Sequence, residues 1–473
     1  MFSKIGDNSR RPVEERDLIV AWERYLVRRK AHGASVLASL LLVSLISPPI
    51  LAQTKSTPQP PKGINADIAA MIRDRQQTPT PRRSITISDA VSIFLQQNLQ
   101  LVGARYDIDT ADAEKLTARL RPNPAVSIDF SNLPLTLTGP FFKEQQLAYG
   151  ISQTFELAGK RRKRIDVANA NAEVARADFQ TAVWQMTNDV KKKFFTVILD
   201  ESLLKLAREN QKTFDETLKH TTELFQAGEI SGLDLHRLEV EKLKFDTDVA
   251  NSERDYQVAL RDLRVTLGGD YRTMDVEPVG TLEYQPSQLS LADLLNSALA
   301  ARPDLKAAQL SEQAADQTIR LQDAQRIPDV TLAAGINQNP NDVSNYTFGI
   351  GIVLPVFDRN QGERAKALIQ KRKAQNDQKF FTNQILSDVD KAWAAFEIQK
   401  QRVELYRTGV LTKVEDILNL TEFSLKAGES STLDLLDAIR TRRETLASYY
   451  QTLFDYQSSL LDLELATATP IQK

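Results

Sequence analysis

The sequence contains no cysteine, and only three of its 473 residues are histidine. The absence of cysteine excludes a disulfide scaffold, a zinc–thiolate site, a cysteine nucleophile and an acylated cysteine anchor. So few histidines do not support a histidine-rich metal centre. No serine–histidine–acid grouping, phosphate-binding glycine loop or nucleotide motif stands out either. We therefore expect neither an enzyme nor a bound cofactor.

Glycine and proline are also sparse, at 18 and 19 residues, and they cluster at a few positions. Their scarcity elsewhere favours long uninterrupted helices. The formal net charge is −2, with 26% charged and 42% hydrophobic residues. This balance is typical of globular proteins and indicates neither a disordered chain nor a nucleic-acid partner.

The N-terminal segment has the pattern of a secretory signal. Basic residues precede a 13-residue apolar run at 34–46, and the small residue Ala52 follows. This pattern predicts a signal peptide over 1–52, followed by a flexible segment over 53–87. The alternative is a short membrane anchor, although such a run would span only ~20 Å as a helix. No later run is long enough for a membrane helix, so any membrane-spanning part of the mature chain would consist of strands.

An internal repeat divides the rest of the chain. The segments FQAGEISGLDLH at 225–236 and LKAGESSTLDLL at 425–436 share seven of twelve positions at an offset of 200 residues. The sequence therefore predicts a tandem duplication. Its parts are a first repeat at 88–268, an equatorial linker at 269–290, a second repeat at 291–468 and a tail at 469–473.

Each repeat has the same predicted order: an opening helix, two extended segments, a very long helix, a glycine turn and a returning helix. Apolar residues step by threes and fours along the long and returning helices, which indicates coiled-coil packing. Polar residues within these stripes, such as Lys242, suggest packing beside water. The long helices are predicted at about 160–227 and 363–427, and the returning helices at about 231–267 and 431–467.

Four extended segments alternate apolar and polar residues, at about 124–133, 144–157, 328–338 and 345–357. Each has the length and pattern of a transmembrane β-strand, about ten residues. Four strands alone would leave unpaired backbone groups in lipid, so several chains would have to complete one barrel. The alternative is a pair of solvent-facing hairpins on a helical rod, as in a periplasmic or surface coiled-coil structural protein without a pore.

The duplicated AGE-x-S-x-x-LDL turns and the strand-to-helix joint YGISQTFELAGKRRKRI at 149–165 resemble the TolC-type outer-membrane efflux protein family. The joint is similar to the heavy-metal branch, the outer components of cobalt–zinc–cadmium-type export systems. The resemblance implies a mainly helical fold with a small β part. Its long hairpins would form an α-barrel tunnel, and four strands per chain would join those of sister chains in a 12-stranded transmembrane β-barrel.

The resemblance also implies a role and partners. The chain would be a homotrimer in outer-membrane lipid, with the helical part extending into the periplasm. It would act as the passive exit duct of a tripartite efflux system, docking to a periplasmic adaptor (membrane fusion) protein and an inner-membrane efflux pump. The exported substrate stays open between heavy-metal cations and drugs or other small molecules.

The duplicated turns hold the first set of candidate site residues. Glycine suits a helix end that needs a left-handed residue, and the serines that follow can cap the returning helices. The resemblance adds adaptor docking at these turns, which would lie at the periplasmic tip. The tip residues are Gly228, Glu229, Ser231, Gly428, Glu429 and Ser431.

A second set consists of aspartates just beyond the turns. Asp434 and Asp437 match the acidic entrance ring of the family, whose crowded carboxylates would attract cations. The alternative is that such an aspartate complements the helix dipole, by about 0.3–1 kcal/mol. That alternative suits Asp434, which recurs as Asp234, whereas the counterpart of Asp437 is Arg237. Asp437 is therefore the first candidate for the channel gate, followed by Asp434 and Asp234.

The family's arginine two residues past the tip glycine is Ser430 here, so a closing lock based on that arginine is in doubt. The run KRRKR at 160–164 begins the first long helix, where we expect contact with lipid headgroups or a solvated helix face. The second repeat offers only Arg359 and Arg364 at this level.

Two histidines are the remaining candidates. His220 and His236 each lie eight residues from Gly228, so a folded hairpin could bring them together as metal ligands. Their counterparts in the second repeat are Leu420 and Leu436, and no carboxylate cluster accompanies them. The sequence therefore predicts no metal site.

Overall fold

The computed structural model describes residues 83–131, 146–269, 274–286, 289–338 and 344–471. The predicted signal peptide lies outside these residues, as does most of the segment at 53–87. Within the described part the chain is mainly helical, and none of its helices combines the length and apolar character needed to cross a membrane.

Both repeats contain a two-part opening helix, two strands, a long helix and a returning helix in the same order. A short strand before the first opening helix has no counterpart in the described residues of the second repeat, and a π-helical turn in the second has none in those of the first. The first consists of β1 (Arg83–Ile85), α1 (Ile87–Gln97), α2 (Leu99–Arg119), β2 (Ala125–Ser131), β3 (Gln146–Phe155), α3 (Lys160–Gln226) and α4 (Gly232–Leu267). A short strand, β4 (Val276–Pro278), lies between the repeats. The second consists of α5 (Leu291–Ala301), α6 (Pro303–Gln325), β5 (Val330–Gln338), β6 (Ser344–Ile352), α7 (Gln361–Leu405), a π-helical turn (Tyr406–Val410), α8 (Leu411–Lys426) and α9 (Thr432–Thr467).

The opening helix of each repeat is broken once, where the sequence predicts a single helix. In the first repeat the break is at Asn98, whose side chain accepts a hydrogen bond from the Leu101 N–H at 2.9 Å and so caps α2. The same side chain donates to the Thr266 carbonyl at the end of α4, at 2.7 Å. In the second repeat the buried Arg302 donates to the Ala466 carbonyl at 3.4 Å. Both breaks thus fasten an opening helix to the end of the returning helix.

The segment at 53–87, expected to be flexible, ends in an ordered strand. β1 pairs in parallel with β4 of the linker. Ile85 is fully buried in an apolar cluster that includes Phe94 of α1 and Phe194 of α3. Burial of this side chain and the backbone pairing fix residues 83–85, which corrects the expectation for that part of the segment.

The two long helices differ in regularity. α3 runs for 67 residues without a break. Its counterpart is α7, a π-helical turn that contains Gly409, and then α8. Glycine is a poor helix former, so Gly409 weakens the α-helix at this turn.

Three apolar clusters hold the helices together. The first joins α1, α3, α4 and the two short strands. The second joins α5, α7 and α9, with Phe396 and Tyr456 at its centre. The third lies toward the glycine turns and joins both repeats, with Phe214 stacked on Phe245 at 4.4 Å between ring centroids and with Leu435 from α9. The third cluster ties the two hairpins together below the level of the opening helices.

The four longer strands form one antiparallel sheet in the order β2–β3–β5–β6. Its register places apolar residues in rows on one face, such as Val126, Ile151, Ala334 and Phe348. The opposite face carries small or polar side chains, and the neighbouring row consists of Ser127, Gly150, Gly335 and Thr347. The sheet therefore has one apolar and one polar side along its whole width.

Candidate functional site

The apolar face of the sheet is uncovered. Val126 on β2 is 76% exposed and Phe348 on β6 is 85% exposed. The described strands are 7, 10, 9 and 9 residues long, close to the 9–11 residues of a tilted membrane strand. Large apolar side chains at this exposure require a partner or lipid. The other apolar residues on this face that are more than two-fifths exposed are Ile128, Phe130, Tyr149, Ile151, Phe155, Leu332, Ile336, Tyr346, Ile350 and Ile352.

The basic run at the start of α3 is mostly bound within the chain. Lys160 is buried and donates to the Asp329 carboxylate at 2.7 Å. Arg164 forms a two-pronged ion pair with Glu156, and Arg161 donates to a backbone carbonyl at the end of α2 at 2.6 Å. These contacts fix the joint between the sheet and α3, so three of the five basic residues have partners within the chain.

The glycine turns have the backbone geometry that the sequence predicts. Gly228 has a φ of 78° and Gly428 a φ of 75°, both in the left-handed region. The N–H of Glu229 donates to the carbonyl five residues earlier at 2.9 Å, and that of Glu429 does the same at 2.8 Å. A Cβ at either glycine would have no atom within 4 Å, so only the backbone conformation requires glycine here.

The serines and the first aspartates cap the returning helices. The hydroxyl of Ser231 accepts from the Asp234 N–H at 3.2 Å, and that of Ser431 accepts from the Asp434 N–H at 3.3 Å. The Asp434 carboxylate in turn accepts from the Ser431 hydroxyl at 2.7 Å and from its N–H at 2.8 Å. These hydrogen bonds hold the pKa of Asp434 below its ordinary value. Both aspartates are therefore engaged in helix capping.

Asp437 is placed differently. It is exposed, and within the described part of the chain it makes no hydrogen bond or ion pair. It lines a cavity of about 510 Å³ between α4 and α9, together with Arg237 and Arg440. Of the three candidate gate residues, Asp437 is thus the one whose carboxylate is available to solvent or to another chain.

A buried ion pair that the sequence analysis missed lies beside this cavity. The Glu241 side chain is only 5% exposed and accepts from Arg440 at 2.5 and 2.9 Å. Lys244 donates to the same carboxylate at 2.8 Å. The hydrogen bonds from Arg440, and then those from Lys244, hold the pKa of Glu241 below its ordinary value against the effect of burial.

A second link runs parallel to the first. Arg443 donates to the Asp248 carboxylate at 2.9 Å and lies 5.3 Å above the Phe245 ring. Both links therefore join an acidic residue of α4 to an arginine of α9. The sequence pattern predicts Lys242 within the apolar stripe of α4, but the buried residue is Glu241, and Lys242 pairs with Asp215 at 2.6 Å. Glu241 follows the buried Leu238 by three residues and precedes the buried Phe245 by four, so it lies on the same face of α4.

Each of the two histidines lies near a glutamate of its own helix. His236 Nδ1 lies 2.9 Å from the Glu239 carboxylate, and His220 Nδ1 lies 3.9 Å from that of Glu223. Both histidines are exposed. Among the residues with described positions, no group of three or more His, Asp or Glu could hold a metal ion.

A known protein family matches this chain in two segments, one in each repeat. The chain matches the model of the outer membrane efflux protein family over residues 90–269 and 294–469. It is 26% identical over 373 residues to the cobalt-zinc-cadmium resistance protein CzcC of Cupriavidus metallidurans, across 78% of this chain and 86% of the relative.

Two solved structures share the fold. The outer-membrane channel CmeC of Campylobacter jejuni has a TM-score of 0.69 at 14% identity, covering 82% of this chain and 86% of that one. A crystal structure of CusC has a TM-score of 0.68 at 18% identity, covering 80% of this chain and 91% of that one. At these identities the likeness concerns the fold.

Proposed function

Since the chain belongs to the outer membrane efflux protein family, we propose that it is the exit duct of a tripartite efflux system, a passive channel built from three copies. It is an outer-membrane protein whose helices extend into the periplasm. In this proposal an inner-membrane pump supplies the energy, and a periplasmic adaptor joins the pump to the duct. The chain itself carries out no catalysis and holds no cofactor.

The observation that carries the proposal is the four-stranded sheet with an exposed apolar face and two open edges. β2 runs away from the helices and β6 runs back toward them, so β6 of one copy and β2 of the next would pair in antiparallel fashion. Unpaired backbone groups in lipid cost several kcal/mol each, which favours closure of the sheet by further copies. Three copies would give 12 strands, an even number within the range of known membrane barrels.

The glycine turns would form the tip that faces the adaptor. Gly228, Glu229, Gly428 and Glu429 are exposed at the far end of the hairpins from the sheet. Ser231 and Ser431 are committed to capping, so their role in docking would be to hold the shape of the turn. Exposed turns whose shape is set by hydrogen bonds suit recognition by a partner protein.

Asp437 would form the acidic ring at the channel entrance. Three carboxylates that accept no hydrogen bond from the described part of their own chain would, in a narrow mouth, attract cations and repel anions, although Arg440 lies close enough to each to offset part of this charge. Such a ring fits the export of metal cations, which the similarity to a cobalt-zinc-cadmium resistance protein suggests. Asp434 and Asp234 would contribute less to ion contact because their carboxylates are held by capping.

The conductance of the purified mature protein in a planar bilayer tests the duct and its gate together. We expect stable single-channel currents, and we expect Asp437→Ala to raise the conductance or to weaken block by divalent cations. The matched control is Asp416→Ala, which removes an exposed aspartate from α8 and should leave both unchanged. A wild-type protein that is extracted without detergent and conducts no ions would instead be a coiled-coil spacer.

The exported substrate is tested in cells. Deletion of the gene should sensitise the host to cobalt, zinc or cadmium if metal cations are exported. Sensitivity to lipophilic drugs with unchanged metal tolerance would contradict the metal assignment and leave the duct intact.

A further inference from the structure

The joint between β6 and α7 holds a cavity of about 490 Å³ with an unusual lining. Three arginines converge on it, from the end of α6 and the start of α7. The rest of the lining includes apolar side chains. The lining residues used below are Arg326, Arg359, Arg364, Val356, Phe357 and Leu368.

The positive charge of this cavity is largely uncompensated. Arg364 donates to the Asp323 carboxylate at 2.6 Å. Arg326 and Arg359 are exposed, and they form no ion pair with any residue that the structure describes. Arginines gathered in this way bind phosphate well, because each guanidinium can donate two parallel hydrogen bonds to its oxygens.

The apolar side of the cavity continues the uncovered face of the sheet. Phe357 is 92% exposed, Val353 is 82% exposed and Leu354 is 74% exposed. They follow directly after Ile352, the last residue of β6. A ligand that fits this surface therefore has an anionic group next to a long apolar part.

A sister copy would not neutralise the arginines. In the proposed barrel the strand next to β6 is β2 of the neighbouring copy, and the chain reaches β2 through the exposed Arg119 and Arg121. The neighbour would thus bring further positive charge to the same level. Since the neighbouring copy adds no negative charge here, an anion that is not part of the protein would neutralise the arginines of the cavity.

We propose that the cavity binds the headgroup phosphate of an anionic phospholipid in the leaflet that faces the helical part. The inference rests on the proposed function, since it requires the sheet to lie in the membrane. The joint of sheet and helices then lies at the level of the headgroups, where cationic side chains meet anionic lipid. The three arginines hold the phosphate, and the acyl chains lie along Leu354 and Phe357.

Native mass spectrometry of the detergent-solubilised full-length mature protein tests this binding. The probes are phosphatidylglycerol and phosphatidylcholine, titrated separately. We expect the wild type to bind phosphatidylglycerol more tightly than phosphatidylcholine. The double variant Arg326→Gln/Arg359→Gln should weaken the binding of phosphatidylglycerol on the order of 20-fold, because two cationic contacts near a membrane surface are lost. Binding of phosphatidylcholine should not change.

The matched control is Arg105→Gln/Arg261→Gln, which removes two exposed arginines from other helices and should bind phosphatidylglycerol like the wild type. Equal affinity of the wild type for the two lipids would overturn the inference, and so would unchanged binding by the double variant. Displacement of the lipid by inorganic phosphate at comparable concentration would assign the cavity to a free anion instead.

The same preparations are examined for channel currents in a bilayer. A wild-type protein that conducts but does not prefer phosphatidylglycerol refutes the lipid site alone. A protein that neither conducts nor inserts refutes the proposed function as well.

Discussion

The two repeats of this chain share one backbone plan but carry different charges. The hairpins, the glycine turns and the serine caps recur at an offset of 200 residues. The buried link between Glu241 and Arg440 does not recur, because the equivalent positions hold Thr441 and Val240. Duplication has thus kept what folds each hairpin, whereas the ion pairs make one hairpin the partner of the other.

Base and acid also pair the other way between the repeats, in Lys191–Glu464 and Lys192–Asp462 between α3 and α9. The two links near the glycine turns share one direction. The acids are on α4 of the first repeat, and the arginines are on α9 of the second. Two identical hairpins would pack equally well against themselves, since their apolar stripes are alike. Paired acid and base select contact between unlike hairpins, as opposite charges beside the seam do in other coiled coils.

The largest expected effect comes from breaking the buried link. Arg440→Ala should destabilise the protein by about 1–3 kcal/mol, less than for a fully buried pair because Arg440 is 39% exposed and Lys244 remains. The measurement is the midpoint of thermal unfolding in detergent. The control is Arg442→Ala, whose partner Glu415 is 50% exposed, and which should cost at most about 1 kcal/mol.

A double-mutant cycle sharpens this prediction. In the background Glu241→Gln, removal of the Arg440 side chain should cost much less, because no buried carboxylate is then left without its partner. Equal losses in both backgrounds would show that the link adds nothing specific to the contact between hairpins.

The two turns should respond alike, since the repeats agree there. Gly228→Ala and Gly428→Ala should each destabilise the chain by about 1–2 kcal/mol, because alanine resists the left-handed conformation although its Cβ has space. Thermal unfolding of each variant provides the comparison. A loss at only one turn would show that the repeats are not equivalent at their tips.

The two long helices carry opposite charges at one pair of equivalent positions, Asp200 in α3 and Lys400 in α7. Burial, and then the nearby Asp255, raise the pKa of Asp200 from an ordinary 3.8 to about 6. The folded chain therefore binds a proton more tightly than the unfolded chain, and stability falls as the pH rises toward and through 6. Asp200→Asn should then be more stable than the wild type above pH 6, by about 1–2 kcal/mol, with the difference vanishing toward pH 4.

Unfolding midpoints of both proteins at pH 7.5 and pH 4 measure this effect. A variant that is less stable than the wild type at pH 7.5 would contradict the raised pKa. Lys400→Asn serves as the control in the second repeat and should show no such dependence.

The smallest effect concerns the π-helical turn that the first repeat lacks. Gly409 has no positive φ and no atom near its missing Cβ, so Gly409→Ala should stabilise the chain by about 0.4–1 kcal/mol. A calorimetric scan should show a slightly higher midpoint. A lower midpoint would indicate that the turn needs the freedom of glycine.

Much of this architecture could be predicted because it depends on local patterns. The turn at Gly228 and Gly428 is specified by glycine followed by a capping serine, and the strands by alternation of apolar residues. The breaks at Asn98 and Arg302 also have local signals, because Asn98 caps α2 and Pro303 disfavours a helical conformation at Arg302. The hydrogen bond that fastens each break to a carbonyl more than 160 residues away along the chain has no such local signal.

In the candidate site, too, the features that depend on local sequence could be predicted and those that depend on distant contacts could not. Helix capping by Asp234 and Asp434 follows from residues three positions apart. The burial of Glu241 depends on α9, a helix of the other repeat. Comparison of the two repeats does not reveal this ion pair, because neither Glu241 nor Arg440 recurs at the equivalent position. The pairing of β1 with β4 could not be predicted either. A strand of three residues is too short to show the alternation of apolar and polar residues by which strands are recognised.

Closure of the sheet by sister copies is the central claim, and the absence of cysteine makes it directly testable. Cysteine pairs introduced on the outer edges of β2 and β6, at several registers, can cross-link only between copies. In outer-membrane fractions we expect at least one pair to give dimers and trimers on denaturing gels and nothing larger, with each single cysteine giving no trimer. A ladder that ends at another number, or no cross-link at any register, would contradict a barrel closed by three chains.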